Sequence, residues 1–430
     1  IGPRSALFTP FENLGLIVID EEQEGAYKSE LAPRYHAREV AARRAAMAGA
    51  GLVLGSATPS LEAFSRAERG EYRLLTLTGR AKKESRLAQV EVVDLREELR
   101  AGNRSIFSRR LQELMEDRLG KGEQIMLFLN RRGYSSFVSC RSCGEALSCP
   151  HCDVSLTLHW NGRLKCHYCG YEILMPERCP SCGSPYIAGF GTGTQRIEEM
   201  TRKMFPGARV LRMDMDTTSK KGGHEEILSA FGDGEADILI GTQMIVKGHD
   251  FPKVTLVGVL AADLSLHAPD YACGERTFQI LTQAAGRAGR GADAGNVVIQ
   301  TYMPEHYSIR TAARQDYEGF YREEMAYRRM LHYPPALGLL TIQAASQKEE
   351  TLSQAAEKMR RAAEQAGDKE TGLFAQGLEI TGPVEAPVYK VNDIYRKILY
   401  IKHENYGILL RIRKEIEALE LPVMLSFDLQ

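Results

Sequence analysis

Residues 14–28 read LGLIVIDEEQEGAYK, an apolar run that breaks off at Asp20, Glu21 and Glu22. A short run of this kind, rich in β-branched residues, fits a buried strand that delivers carboxylates at its carboxyl end. The same pattern recurs outward from it in GAGLVLGSAT (49–58), QIMLFLN (124–130), ARVLRMD (208–214), ADILIGT (236–242), KVTLVGVLAAD (253–263) and NVVIQTY (296–302). Between these runs lie segments with helical spacing, such as TQRIEEMTRKMF (194–205) and GERTFQILTQAAGRAGR (274–290). Strands alternating with helices predict an α/β protein with parallel sheets and functional residues at the carboxyl ends of the strands. Two such sheets are expected, one before residue 98 and one after it.

A chain of 430 residues has length for two to four domains and ample apolar content for their cores. Its 55 basic and 56 acidic side chains nearly cancel, leaving a net charge of −1. No global field recruits a polyanion, so nucleic-acid contacts must be local. No apolar run approaches the ~20 residues of a membrane span and no signal peptide opens the chain, so a cytoplasmic protein without a membrane partner is expected.

Eight of the nine cysteines fall between Cys140 and Cys182 as four C-x-x-C knuckles, CRSC, CPHC, CHYC and CPSC. Two thiolates on one tight turn occupy two corners of a zinc tetrahedron, so four knuckles predict two zinc sites. Two strand-like runs around Asn161 and Gly162 separate the inner knuckles, which is hairpin chemistry. A nested pairing follows: Cys149, Cys152, Cys166 and Cys169 inside, with Cys140, Cys143, Cys179 and Cys182 around them. Sequential pairing is the competing arrangement. His151, His159 and His167 are expected to stand by, and Cys273 to be an ordinary thiol.

The acids after the first strand match a Walker B arrangement, in which Asp20 would hold magnesium through water and Glu21 would orient the attacking water. Ser56 and Thr58 stand at the next strand end. In the second half, Thr242 and Gln243 lead into Lys247, Gly248, His249 and Asp250, a loop able to offer amides and a hydroxyl to phosphates. Gln283, Arg287 and Arg290 follow in QAAGRAGR; the arginines, three apart, would share one face of a helical turn and act as arginine fingers.

Taken in order, these motifs resemble superfamily 2 helicases and, more narrowly, the PriA replication-restart helicase family. The carriers are GPRSALFTPF, VIDEEQEGAYKSELAPRYHAREVA, LGSATPSLEA, FLNRRGY, the four knuckles, GTGTQRIEE, GTQMIVKGHDFP and QAAGRAGR. The cysteine cluster placed between FLNRRGY and GTGTQ is specific to that family. The resemblance implies RecA-like motor lobes, ATP with magnesium, two zinc ions and 3′ to 5′ movement on DNA. It also implies recognition of branched and single-stranded DNA at stalled forks, and partnership with primosome and single-strand-binding proteins. By the same resemblance Ser56 and Thr58 couple hydrolysis to lobe movement, Gly248 and Asp250 serve the nucleotide, and Thr192, Thr194, Thr242 and Gln243 grip the DNA backbone. Tyr27, Tyr35 and His36 fall in the family's aromatic-rich loop, where stacking on bases could report DNA to the ATPase site; packing of Tyr35 under a helix starting near Ala37 is the alternative.

Two departures stand out. The acid box reads DEEQ where a histidine is common, so Gln23 must supply any coupling bond as an amide. No G-x-x-x-x-G-K-[ST] phosphate loop occurs. The chain is therefore expected to begin downstream of that loop and to be deficient in ATP hydrolysis as it stands. Near the other end, the order β-α-β-β-α-β predicts a ferredoxin-like domain with an exposed YKVNDIYRK hairpin (389–397). The expected domains are a partial first motor lobe (1–98), the start of a second (99–138), a zinc-binding insertion (139–185), the rest of the second lobe (186–315) and a carboxy-terminal α+β domain (316–430). A translocase acting on RNA and a zinc-dependent interaction scaffold are the alternative functions.

Overall fold

The computed structural model describes residues 1–29, 34–77, 79, 88–129, 138–151, 155–159, 162–167, 169–189, 193–214, 217–218, 222–243, 245, 251–268, 270–288, 295–368 and 377–430. They form two compact units, Ile1–Thr76 together with Met325–Gln430, and Leu77–Glu324.

In the first unit, β1 (Leu16–Asp20), α1 (Ala37–Ala48) and β2 (Gly51–Gly55) make a parallel strand pair, with Leu16 opposite Gly51 and Asp20 opposite Gly55. Ala37, Ala41 and Ala45 line one face of α1, and their small side chains pack closely on Ile17 and Ile19. The opposite face leaves Leu16 57% and Val18 60% exposed. α2 (Leu61–Glu68) follows, capped by Ser60, which accepts from the Ala63 amide.

The second unit holds a six-stranded parallel sheet. Its elements begin with β3 (Gln89–Asp94), α3 (Leu95–Arg100), α4 (Arg109–Gly120) and β4 (Gln124–Leu129). The cysteine-rich insertion contributes β5 (Val138–Cys140), β6 (Thr157–Leu158), β7 (Arg163–Lys165), β8 (Glu172–Leu174) and β9 (Ile187–Gly189). Then come α5 (Thr194–Met204), β10 (Val210–Met213), α6 (Gly223–Gly232), β11 (Ile238–Gly241), β12 (Val254–Leu260), α7 (Cys273–Ala285), β13 (Asn296–Thr301) and α8 (Tyr307–Arg314). The strand order is β10-β11-β4-β12-β13-β3. Leu111 and Met115 of α4 and Ile197 of α5 close on Ile125, Leu127 and Ile240. This sheet reaches back past the boundary expected at residue 98: β3 pairs with β13 from Gln89 opposite Asn296 to Asp94 opposite Thr301. As an edge strand it carries Glu91, whose carboxylate accepts from Arg110, and so lacks the continuous apolar run of the inner strands.

α9 (Tyr317–Met330) leads into β14 (Gly338–Ser346), α10 (Glu349–Asp368), β15 (Glu379–Val391), β16 (Ile394–His403), α11 (Tyr406–Glu417) and β17 (Met424–Leu429). The antiparallel order β15-β16-β14-β17 is the ferredoxin-like arrangement, and Leu352, Met359, Leu409 and Ile412 of the two helices pack with Leu340 and Leu399 of the sheet. Asn392 and Asp393, with φ of 49° and 58°, turn the β15–β16 hairpin, as both central positions of a type I′ turn require. Within this unit Lys28 pairs with Asp428 at 2.6 Å.

Candidate functional site

The acid box turns sharply after β1. Asp20 is exposed at the strand end, and the Glu21 amide, at φ 48°, donates to its Oδ1 at 3.0 Å. The next acid behaves differently: Glu22 is 1% exposed and accepts from Arg38 Nη1 (2.9 Å), the Ser60 amide (2.6 Å) and Ser60 Oγ (3.0 Å). Burial works against the charged Arg38, yet Glu62 and Glu22 hold its pKa above the ordinary value. Glu22 thus fastens the acid turn to the starts of α1 and α2. Gln23 donates through Nε2 to Glu21 Oε2 (2.6 Å) and accepts through Oε1 from Ser56 Oγ (2.5 Å). Ser56 Oγ in turn accepts from the Thr58 amide at 2.9 Å, so the amide side chain links the two strand ends. The Thr58 side chain is buried.

The aromatic residues nearby have partners within the fold. Tyr27 Oη donates to the Asp20 carbonyl at 2.8 Å, and burial followed by the Asp20 charge pushes its pKa up. The Tyr35 ring meets Phe8 edge-on at 5.3 Å between centroids, with the Arg4 guanidinium 5.5 Å from it. His36 Nδ1 accepts from the Arg38 amide and caps α1; burial, then the Arg38 charge, lowers its pKa to about 4.

In the second unit, Thr194 opens α5 and donates to Asp214 Oδ2 at 2.6 Å, while Thr242 and Gln243 are half-buried beyond β11. Gln283 lies in the last turn of α7. Gly286 ends that helix, so Arg287 sits on the following turn rather than within a helix. Thr192, Gly248, Asp250 and Arg290 lie outside the described residues, as do Lys247 and His249.

The thiols converge in two groups. The sulfurs of Cys140, Cys143, Cys179 and Cys182 lie within 4.8 Å of one another, and so do those of Cys149, Cys166 and Cys169. Cys152 lies outside the described residues. Separations of 3.6 Å (Cys140 to Cys182), 3.7 Å (Cys143 to Cys179) and 3.4 Å (Cys149 to Cys169) suit a tetrahedron with metal–sulfur bonds of about 2.3 Å. This is the nested order. No histidine joins either group among the described residues, and Cys273 opens α7 apart from both. Three knuckles share one device that spacing alone did not reveal: the first cysteine accepts from the amide of a left-handed glycine, Gly144, Gly170 or Gly183. The signal was present as C-x-x-C-G. At Gly144 the need is double, since an added Cβ would lie 2.3 Å from the Tyr302 carbonyl.

Three family models match successive parts of the chain. They are the PriA DNA helicase Cys-rich region domain over residues 149–173, the helicase conserved C-terminal domain over 187–292, and the primosomal protein N C-terminal domain over 329–423. A protein named replication restart protein PriA from Bacillus subtilis (strain 168) is 51% identical, covering 100% of this chain and 53% of the relative. The chain belongs to the PriA replication-restart family.

Other PriA relatives include one from Synechocystis sp. (strain PCC 6803), 45% identical over 94% of this chain and 49% of its own length, and one from Thermotoga maritima, 34% identical over 100% and 56%. The chain spans about half the length of the curated relatives it matches. Among solved structures, RecG bound to a three-way DNA junction is similar at TM-score 0.35 and 14% identity, covering 76% of this chain and 31% of that one. The PriA Cys-rich match falls on the inner thiol group, and the two groups are zinc-binding clusters. No helix among the described residues is long and apolar enough to cross a membrane.

Proposed function

We propose that this chain is the zinc-bearing motor portion of an ATP-dependent DNA helicase that moves 3′ to 5′, recognises stalled or branched replication forks and begins primosome assembly. The observation that carries this reading is the chain of hydrogen bonds from Glu21 through Gln23 to Ser56. Asp20 offers an exposed carboxylate to magnesium, whose charge would offset that of the ATP phosphates. Glu21 holds and orients the attacking water, Gln23 relays its state to Ser56, and Thr58 completes that strand end. Gln283, Arg287 and Arg290, with Gly248 and Asp250, are the second lobe's contribution to nucleotide turnover. Thr192, Thr194, Thr242 and Gln243 hold the DNA backbone. Two zinc ions close the nested thiolate sets, with Cys152 as the fourth ligand of the inner one. Single-stranded and branched DNA, primosome proteins and single-strand-binding proteins are the partners, in the cytoplasm.

The test uses a polypeptide of the relatives' full length. Glu21→Gln should lower its DNA-stimulated ATPase by about 100-fold or more while ATP still binds. Wild-type turnover in that variant would sink the assignment. The 430-residue chain has no G-x-x-x-x-G-K-[ST] loop to cradle phosphates, so on its own it should show no DNA-stimulated hydrolysis. Unwinding of forked DNA but not forked RNA would fix the substrate.

A further inference from the structure

A cavity of about 310 Å³ opens where the cysteine-rich insertion meets the six-stranded sheet. Its floor includes Leu129 and Leu260, the last residues of β4 and β12, so it lies at the carboxyl ends of neighbouring parallel strands. Ligands of open α/β sheets bind in that position. Its walls carry Arg104, Arg141, Tyr186 and Tyr302. Among the described residues Thr194, Thr242 and Gln243 do not line it, while Ile197, one turn along α5 from Thr194, does.

The wall that carries Arg104 is preformed. Asn103 Nδ2 donates to Glu98 Oε2 (2.6 Å) and to the Phe107 carbonyl (3.0 Å), and Asn103 Oδ1 accepts from the Ser105 amide (2.9 Å). Ser105 Oγ accepts from the Phe107 amide at 3.1 Å, and Glu98 also accepts from the Arg109 amide at 3.0 Å. Across the cavity, Arg141 follows the first cysteine of its knuckle, where its amide bonds the Tyr186 carbonyl at 2.9 Å. Neither Arg104 nor Arg141 makes an ion pair or side-chain hydrogen bond among the described residues. Arg104, Arg141, Tyr186 and Tyr302 therefore line one space together with Glu98 and an apolar floor.

The geometry points to a binding site for a single nucleotide unit, with the base against Tyr186 or Tyr302 and the phosphate held by Arg104 and Arg141. A guanidinium fork matches phosphate oxygens, and an aromatic ring stacks on any base. The volume is at the lower end of the range for small-molecule sites, which suits one nucleotide rather than two. The unit can come from a DNA strand entering between sheet and insertion, a source that rests on the helicase reading, or from a free nucleotide, which does not.

Photo-cross-linking of the zinc-loaded 430-residue chain tests the site without requiring ATP turnover, so its outcome is separable from that of the helicase reading. The probes are free 5-iododeoxyuridine monophosphate and an oligothymidylate bearing one 5-iododeoxyuridine. Peptide mapping should place the adduct on Tyr186 or Tyr302, and Arg104→Ala with Arg141→Ala should weaken binding of the reactive probe by roughly tenfold or more. The paired Arg→Lys variant should retain part of the affinity, and Arg360→Ala, in the carboxy-terminal domain, should leave it unchanged. Unaltered circular dichroism and zinc content establish that the variants are folded; if the alanine pair is misfolded, adduct position and the lysine pair decide. An adduct from the oligonucleotide alone assigns the site to strands, and one from both probes assigns it to nucleotides in general; either supports the inference. No adduct on either tyrosine, or one whose yield is the same in the arginine variants, overturns it.

Discussion

β4 and β1 are both parallel strands built largely from apolar residues, yet β4 buries all its side chains whereas β1 buries only alternate ones. Leu127 packs with Leu111 of α4 and Ile197 of α5 inside a wide sheet, while Val18 looks outward from a pair covered by α1 on one face. The difference shows that an apolar run records a strand's capacity for burial, not how many of its faces are covered. It also shows two ways of anchoring a strand end. The six-stranded sheet combines apolar packing with hydrogen bonds to carboxylates such as Asp263 at the end of β13, and the two-stranded pair has the buried cluster of Glu22, Arg38 and Ser60. The cysteine-rich insertion is a third case, with a small core of Val138, Leu147, Leu156 and Leu164 beside its thiols.

The comparison is sharpest where metal substitutes for core. Zinc removal with a strong chelator should release two ions and unfold residues 139–185 while hydrogen exchange in β4 and β12 stays slow; structural zinc contributes on the order of 10 kcal/mol in small domains. Retention of protected amides in the insertion after complete metal loss would show that its apolar core suffices. Next in size, Arg38→Ala should leave Glu22 buried without its cation and destabilise the β1–β2 pair by about 3–5 kcal/mol. Exchange of amides in residues 16–20 and 51–55 measures this, and a change below ~1 kcal/mol would remove the ionic cluster as an anchor.

Truncation separates the two sheets more gently. Leu127→Ala should cost about 2–5 kcal/mol in denaturant unfolding of the second unit, against about 0.5 kcal/mol for Val18→Thr in the first. Equal costs would mean that the exposed face of β1 is covered in solution. A pH effect tests the capping of α1. The folded-state pKa of His36 is depressed to about 4 from 6.5, so the unfolded chain takes up the proton first. Its contribution is therefore fully present above about pH 6.5 and is lost as pH falls towards 4. Exchange of the first α1 amides should quicken across that window, and His36→Asn, which still offers a capping oxygen, should flatten the profile.

Much of this architecture was legible in the sequence because its signals are local. The inner strands announce themselves as apolar runs, the thiol pairs by C-x-x-C spacing, and the carboxy-terminal domain by the order of its elements. Sheet membership of β3 was not legible, since an edge strand carrying Glu91 looks like many other half-polar segments and its partner, β13, is remote in sequence. Nor does the sequence show the anchoring role of Glu22, which stands beside Glu21 as a like acid until the chain turns and buries it against Arg38. The helical face expected to hold Arg287 ends two residues before it, at Ala285, with Gly286 as the cap of α7. For Tyr27, Tyr35 and His36 the sequence leaves base stacking and packing within the fold as alternatives, and their described contacts are a phenol hydrogen bond, packing on Phe8 and a helix cap.

The Gln23 bridge has a built-in polarity. Its carboxamide has one end that only donates and one that only accepts, and a negatively charged Glu21 tolerates only the donor. The oxygen must then face Ser56, which obliges that hydroxyl to donate. An imidazole in the same place would gain or lose a proton near neutrality, but a carboxamide keeps its character at every pH the fold survives. Neutralising Glu21 lifts the restriction: the amide can turn over, and Ser56 can become an acceptor. A change of charge at the end of one strand is thereby recorded at the end of its neighbour as the reversal of a single hydrogen bond.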